Sequence, residues 1–561
     1  MFASLCLTLL LQSTTSFQVQ APEAPVRDGK VAKGTASVKG KVVTADAGRP
    51  MRRVQISLSS PGLSESRSMS TTAQGIYEFK ELPAGRYTIT ATREGFIRLQ
   101  YGQRRPGEPG RPLQLADGQR VDNADFSLPR TGSISGRITD ELGDPLPGVS
   151  IYPAQWKYFR GKRRMVPVPG GTSFNRTDDT GQFRITGLEP GDYFVLATTR
   201  TTWTVDDKPT ERIGFLPTYA GGTANPAEAM RIKVNMGQEA PTGDFAMVPG
   251  RVASISGTAT YSSGLPMSGE SINMTQEFAG PGSSSQFGMA GAKVNADGSF
   301  TIKNIPPGEY RLSLRGPGDK ERPPEGVTMT VSVAGEDLVG VMLVGGSGGS
   351  VSGRIVSDTG GAVPVPESSR MRVNARPVDP TSTYSSFDND NGRVKDDGAF
   401  EVTNVYGQNR LNVSPLPSGW VVRAIEHGGK DYADVPIDLR GGTRLDGVSV
   451  VLSKTLPRVQ GTLADEQGKP VEGSVLLFPE EASKWGEDAR LVRSTRPDLA
   501  GAFEFRNVIP GSYLIVPLEY VRDGDWADPE FLENLREKGQ RVRVDDKGAA
   551  PIQLTLKGQA R

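Results

Sequence analysis

Gly181-Gln182-Phe183-Arg184-Ile185-Thr186-Gly187-Leu188-Glu189-Pro190-Gly191-Asp192-Tyr193 decides the fold, because ungapped copies of it begin at Gly75, Gly298, Gly398 and Gly501. Each copy carries an aromatic two residues after its first glycine: Tyr77, Phe183, Phe300, Phe400 and Phe503. An apolar residue follows two places later (Phe79, Ile185, Ile302, Val402, Phe505), so both fall on one face of a strand and belong to a core. The first glycine supplies a turn, and an apolar residue and a Pro-Gly turn end the strand. Twelve residues after the glycine stand Tyr87, Tyr193, Tyr310, Arg410 and Tyr513, opening the next strand. A tyrosine just past such a turn can bury its ring and hydrogen-bond its hydroxyl to backbone, so its role is structural, as are those of the aromatics before it.

Outward from these copies the chain repeats further. Val38-Lys39-Gly40-Lys41-Val42, Ile134-Ser135-Gly136-Arg137-Ile138 and Val351-Ser352-Gly353-Arg354-Ile355 alternate apolar and polar residues about a central glycine. Ile255-Ser256-Gly257 and Val459-Gln460-Gly461 open the other two units in the same way. This is the period of a half-buried strand, with glycine where a bulge or a close crossing would be cheap. Gly/Pro turns such as Leu142-Gly143-Asp144-Pro145 lead to a second strand, and alternating strands such as Phe126-Ser127-Leu128 and Val341-Met342-Leu343 close the units. The prediction is an all-β chain: a tandem array of about five seven-stranded antiparallel β-sandwiches. The expected divisions are a signal peptide over 1–21, a linker over 22–35, and sandwiches over 36–130, 131–249, 250–346, 349–455 and 456–561.

Two units depart from the rule. The fourth has Tyr406-Gly407-Gln408-Asn409-Arg410 in place of Pro-Gly-x-Tyr, which removes the tyrosine contact and loosens the register after Val405. The fifth inserts Asp528-Pro529 to Gly539, with an Asp cap, Pro in the first turn and a terminal glycine. That insert predicts a short helix facing the sandwich through Phe531, Leu532 and Leu535.

Gly (68) and Pro (42) make up about a fifth of the 561 residues, an excess that reads as turn chemistry. The net charge of +1 creates no global field, and nucleic acid is not an expected partner. Phe2 to Leu11 is an apolar run followed by small polar residues, which fits a signal peptide and is too short for a membrane span. Export is the expectation, with no transmembrane span; Cys6, the one cysteine, lies in that run, so stability must come from packed cores.

The Ser-Gly-Arg-Ile openings, the Gly-Asp-Pro-Leu-Pro-Gly-Val turn and the Gly-Gln-Phe to Leu-Glu-Pro-Gly-Asp-Tyr core resemble the carboxypeptidase regulatory-like family over roughly residues 36–558. The resemblance implies a transthyretin-like (prealbumin-like) sandwich related to carbohydrate-binding-like folds and found in exported bacterial proteins. It brings no catalytic residues, because such a domain accompanies a peptidase domain without contributing to its zinc site.

The residues themselves point the same way. His427 is the only histidine, with no glutamate at the spacing a zinc peptidase needs, and Ser-His-Asp or Cys-His catalysis has no histidine to spare. No enzyme activity and no cofactor are expected. Asp388, Asp390 and Asp396 form a weak Ca²⁺ candidate without an EF-hand's spacing. The most suggestive loop is Tyr152 to Arg164, where Tyr152, Trp156 and Tyr158 stand beside cations and can stack on sugars. Trp203, Tyr101 and Tyr219 in other long loops are candidates on the same terms. The expected partner is therefore a glycan or a cell-surface protein, for an exported binding or adhesion scaffold; a polysaccharide-capturing accessory protein is the alternative.

Overall fold

The computed structural model describes residues 34–557 except 61–62, 64–65, 104–106, 160–161, 169–174, 206–207, 277–287, 319–323, 361–362, 364–370, 379–390, 418, 486–489 and 523. The signal-peptide reading, Cys6 and most of the linker lie outside the described residues.

The opening strand of the first unit, Ala36–Thr44, pairs antiparallel with Ile76–Leu82 and parallel with Arg120–Val121 and Phe126–Leu128. Gln55–Ser59 lies in the facing sheet between Arg67–Ser70 and Gly85–Thr92. The same plan recurs along the chain: Gly132–Thr139, Ala253–Thr260, Gly349–Ser357 and Val459–Ala464 each hold an antiparallel neighbour on one side and a parallel closing strand on the other. The sheets are thus mixed, with parallel pairing to the closing segment in each repeat, to two short strands in the first, besides the expected antiparallel pairs.

Buried apolar residues gather between these sheet pairs in clusters spanning Ala36 to Leu128, Ile134 to Met247, Ala253 to Leu343, Val351 to Leu452 and Val459 to Leu554. The aromatic and apolar positions of every copy are inside them, each burying on the order of 1.5–3 kcal/mol of apolar surface. The residue six after the first glycine is left-handed in every copy: Glu81 (φ 55°), Gly187 (77°), Asn304 (61°), Asn404 (56°) and Asn507 (55°). It makes a β-bulge, and four of the five pairings show the register shift opposite it.

The opening glycine is a close-crossing position. A Cβ on Gly257, Gly353 or Gly461 would lie 1.8–2.2 Å from a carbonyl oxygen of the closing strand, on Gly40 2.1 Å from the Ala124 carbonyl oxygen two residues before that strand, and on Gly136 1.9 Å from Thr242 Oγ1. The space is filled by the facing aromatic as well, Tyr77 Cε1 standing 2.8 Å from a Cβ on Gly40.

The tyrosines past the turn share one geometry. The hydroxyls of Tyr87, Tyr193, Tyr310 and Tyr513 donate to the carbonyls of Pro83, Glu189, Pro306 and Ile509, at 2.6, 2.9, 2.9 and 2.8 Å. In the fourth unit the turn is one residue shorter, so the ungapped alignment fails after Val405. Asn409, 1 % exposed, takes the tyrosine's place, and its amide donates to Tyr406 and Gly407 carbonyls at 2.8 and 3.1 Å. Leu411 and Val413 then continue the inward face, while Arg410 is only half-buried.

The fourth unit differs in topology too. Its strand Val421–His427 pairs antiparallel with the closing strand Arg444–Ser453 and extends the opening sheet, whereas the third unit's Glu325–Val333 stays with Gly308–Gly316 in the facing sheet. His427 ends that strand half-buried, beside a Gly428-Gly429 hairpin turn with both glycines at positive φ, not in an exposed loop. In the fifth unit helix Pro529–Arg536 forms as read, with the Asp528 carboxylate accepting from Glu530 N. Leu532 and Leu535 cover Leu476, Phe478, Leu514 and Val516 on the outer face of the facing sheet.

The ends of the chain meet. Arg496 of the fifth unit lies almost fully buried against the first, donating to the Gly102 and Pro109 carbonyls at 2.8 and 3.3 Å and 3.4 Å from Glu108. Arg111 reaches Glu472 at 3.0 Å beside it. The fifth unit also holds the fourth, through Arg490 on Asp434 and the Val422 carbonyl (2.8 and 2.6 Å). Tyr406 Oη donates to the Pro324 carbonyl between the fourth and third units, and Arg212 to Asn304 between the second and third. The array returns on itself instead of running as an open string.

Candidate functional site

The aromatic hairpin is built by Ser150–Phe159 and Lys162–Pro167, paired from Ala154–Pro167 to Phe159–Lys162. Alternation along the first strand places Tyr152, Ala154 and Trp156 on its outer face. There Ala154, Met165, Phe194, Leu196 and Tyr219 form a small apolar cluster outside the main core, and Tyr152 packs half-buried against it. Trp156 sits at the cluster's border, 36 % exposed, its ring edge-on to Phe194 with centroids 6.5 Å apart. The backbone sets Tyr158 opposite Arg163 in the hairpin; its side chain is outside the description.

The structure therefore brings Tyr152, Trp156 and Tyr219 to one outer face, but Tyr219 is 6 % exposed and burial pushes its hydroxyl up to about 12. It is a packing residue there, not a platform for ligand. Trp203 lies against the core of its own sandwich, 4.9 Å from the Phe215 ring, and Tyr101 packs 6.3 Å from Phe126 in the first unit. Both were read from the sequence as loop aromatics open to a ligand. Tertiary packing claims them, because an indole or phenol beside a sandwich core gains more from burial than from water.

Of the Ca²⁺ candidates, Asp388 and Asp390 lie outside the described residues. Asp396 is exposed, and neighbouring Asp397 accepts from Ala399 N and pairs with Arg354, which is turn chemistry. Among the described residues no group of three or more His, Cys, Asp or Glu is placed to hold a metal ion. No helix among them is long and apolar enough to cross a membrane, a statement that does not bear on β-barrels.

Two clefts escaped the sequence reading. One of about 580 Å³ opens beside the junction of the first and fifth units, lined by Glu108, Asp465, Glu466, Glu472, Arg496 and Glu519. The other, about 370 Å³, lies between the third and fourth units, lined by Arg311, Thr328, Thr330, Tyr406, Gln408 and Arg440. Neither is signalled locally, since each is assembled from strands and turns far apart in the chain.

A two-sheet β fold with repeated buried tyrosines defines a class of sandwich-domain proteins. Within it, residues 37–129, the first unit, match the model of the carboxypeptidase regulatory-like domain, the family that the sequence resembles over roughly residues 36–558. No curated protein matches the chain. Among solved structures, the chain is similar to the Bacillus anthracis TIE protein, at 12 % identity and a TM-score of 0.15, covering 76 % of this chain and 74 % of that one. It is similar also to the minor pilin of Streptococcus agalactiae (14 %, TM-score 0.20, covering 38 % and 96 %) and to the shaft pilin of Lactobacillus rhamnosus GG (12 %, 0.20, 39 % and 98 %). Likenesses this weak carry no inference about function.

Proposed function

We propose that the chain is a non-catalytic exported scaffold of five sandwiches, over 36–130, 131–249, 250–346, 349–455 and 456–561, that binds a cell-envelope or extracellular partner through its loops. One observation carries the reading: the buried frame of tyrosine, bulge and crossing glycine is repeated, while the loops between its parts vary in length and content. Repetition of a frame with variation of its loops is how a scaffold diversifies its contacts. The purified chain is expected to be retained by cell-envelope material and to leave peptides and glycosides intact. Turnover of either substrate class by clean protein, or no retention by any envelope fraction, removes the proposal.

A second reading, polysaccharide capture, is favoured by the exposed Trp156 ring on its hairpin. A glycan array distinguishes the two. Binding lost in Trp156→Ala, with thermal stability kept, supports the sugar reader, and an array without any bound glycan rejects it. Trp203→Ala should instead destabilise the second unit, because its ring belongs to the core.

A further inference from the structure

The closing strand of the third unit, Leu338–Val344, has its parallel neighbour on one side and, among the described residues, no strand paired on the other. It reads Leu-Val-Gly-Val-Met-Leu-Val, seven residues without a charge or a proline. Val339, Met342 and Val344 are 77, 64 and 48 % exposed. An open edge is ordinarily defended by charge, proline, a bulge or cover, and of these the strand has only a bulge at Val339-Gly340, which leaves Val341–Val344 as its regular stretch.

The other repeats show what is missing. Beside the residue after each opening glycine, the closing segment carries Asp125, Asp244, Ser449 and Gln553 in the first, second, fourth and fifth units, where the third has Met342. The fourth unit shows what such an edge accepts: its closing strand, in the equivalent position, takes Val421–His427 antiparallel on its outer side.

We propose that Leu338–Val344 is a pairing edge that takes the same strand of a second copy of this chain, antiparallel about a two-fold axis at Met342. The strand is self-complementary in that register. Met342 meets Met342, the exposed Val344 meets Gly340, and the buried Leu343 meets the buried Val341, so each residue opposes one of its own face. Gly340 stands at the bulge where the regular stretch ends (φ 78°), with open space where a Cβ would stand, so the facing valine meets no side chain there. No charge lies in the paired stretch, so pairing with a copy opposes no like charges. The result is one sheet running through two molecules, its exposed methionines and valines covered by each other.

Light scattering on the full chain, from micromolar concentrations upward, should show a dimer whose mass halves in Met342→Lys and in Val344→Lys at unchanged melting temperature. Thr301→Lys, exposed on the far strand of the same sheet, should leave the dimer intact. In a Cys6→Ser background, Met342→Cys should cross-link the dimer on mild oxidation, since Cα atoms facing each other in an antiparallel pair stand about 4.5–5.5 Å apart, within disulfide reach. A monomer at all concentrations overturns the proposal, as does a dimer that survives Met342→Lys and fails to cross-link. A monomer that captures an extended apolar peptide along this edge overturns it too, by assigning the edge to a different partner.

Discussion

Tyr310 shows how much one hydroxyl does in this chain. Its ring is fully buried, and its hydroxyl satisfies the Pro306 carbonyl at 2.9 Å, a group with little access to water at that turn. Tyr310→Phe keeps the ring and orphans the carbonyl, so unfolding of the third unit in denaturant should lose about 1–2 kcal/mol; an unchanged midpoint would deny the bond its role. The buried tyrosines also set an alkaline limit. Burial raises Tyr193 and Tyr513 from 10.0 to about 12. A raised folded value means that their contribution is complete below the unfolded value of 10.0 and is lost as pH rises through about 12. Tyrosinate absorbance should therefore appear together with loss of β-sheet circular dichroism between those values, and ionisation near 10 in a fold still intact would contradict it. The tyrosines were legible in the sequence because they repeat at fixed spacing. Asn409 was not, because one deleted residue moves the replacement off that spacing, and only the alternation of Asn409, Leu411 and Val413 into the core reveals it.

At the scale of elements, the opening strand and its glycine decide whether a sandwich closes. Gly257→Ala would place a methyl 1.8 Å from the Val341 carbonyl oxygen, in backbone that cannot give way without losing the parallel pair. Overpacking of this kind costs typically 1–3 kcal/mol and here adds a broken ladder; the third unit's unfolding transition should fall well below the others, while Gly264→Ala, in open space at a turn, should cost only the strain of its positive φ (83°). The sequence suggested a close crossing at this glycine because an unpacked residue inside an alternating strand is otherwise a weakness. It did not show that the crossing partner runs parallel, since pairing direction leaves no mark on a two-residue period. The left-handed bulge does have a signal in the sequence: the residue six after the first glycine is Gly or Asn in four copies. The aromatic candidates Trp203 and Tyr101 are half-buried against their own cores. Trp203 lies in strand Thr202–Val205 and Tyr101 in the turn after Leu99–Gln100, and nothing local says that either packs back onto its own core.

For the whole molecule, repetition made the array legible and long-range closure did not. Arg496 and Glu108 belong to turns of different units, and neither turn differs from an ordinary exposed one until the two meet. Their side chains are 2 and 7 % exposed, so the pair is buried, and reversing the charge of Arg496 sets two carboxylates together there, at a cost of about 3–5 kcal/mol to the junction. The sandwich cores do not depend on that contact. Arg496→Glu should therefore part the first and fifth units without unfolding any of them, seen as faster proteolysis around the Gly102 to Gly110 loop at unchanged circular dichroism. Small-angle scattering from the full chain tests the closed scaffold most directly. The account predicts a compact particle for the native chain, with the maximum dimension and radius of gyration both increasing in Arg496→Glu. An extended profile for the native chain, as of sandwiches in file, with no change on substitution, would contradict it.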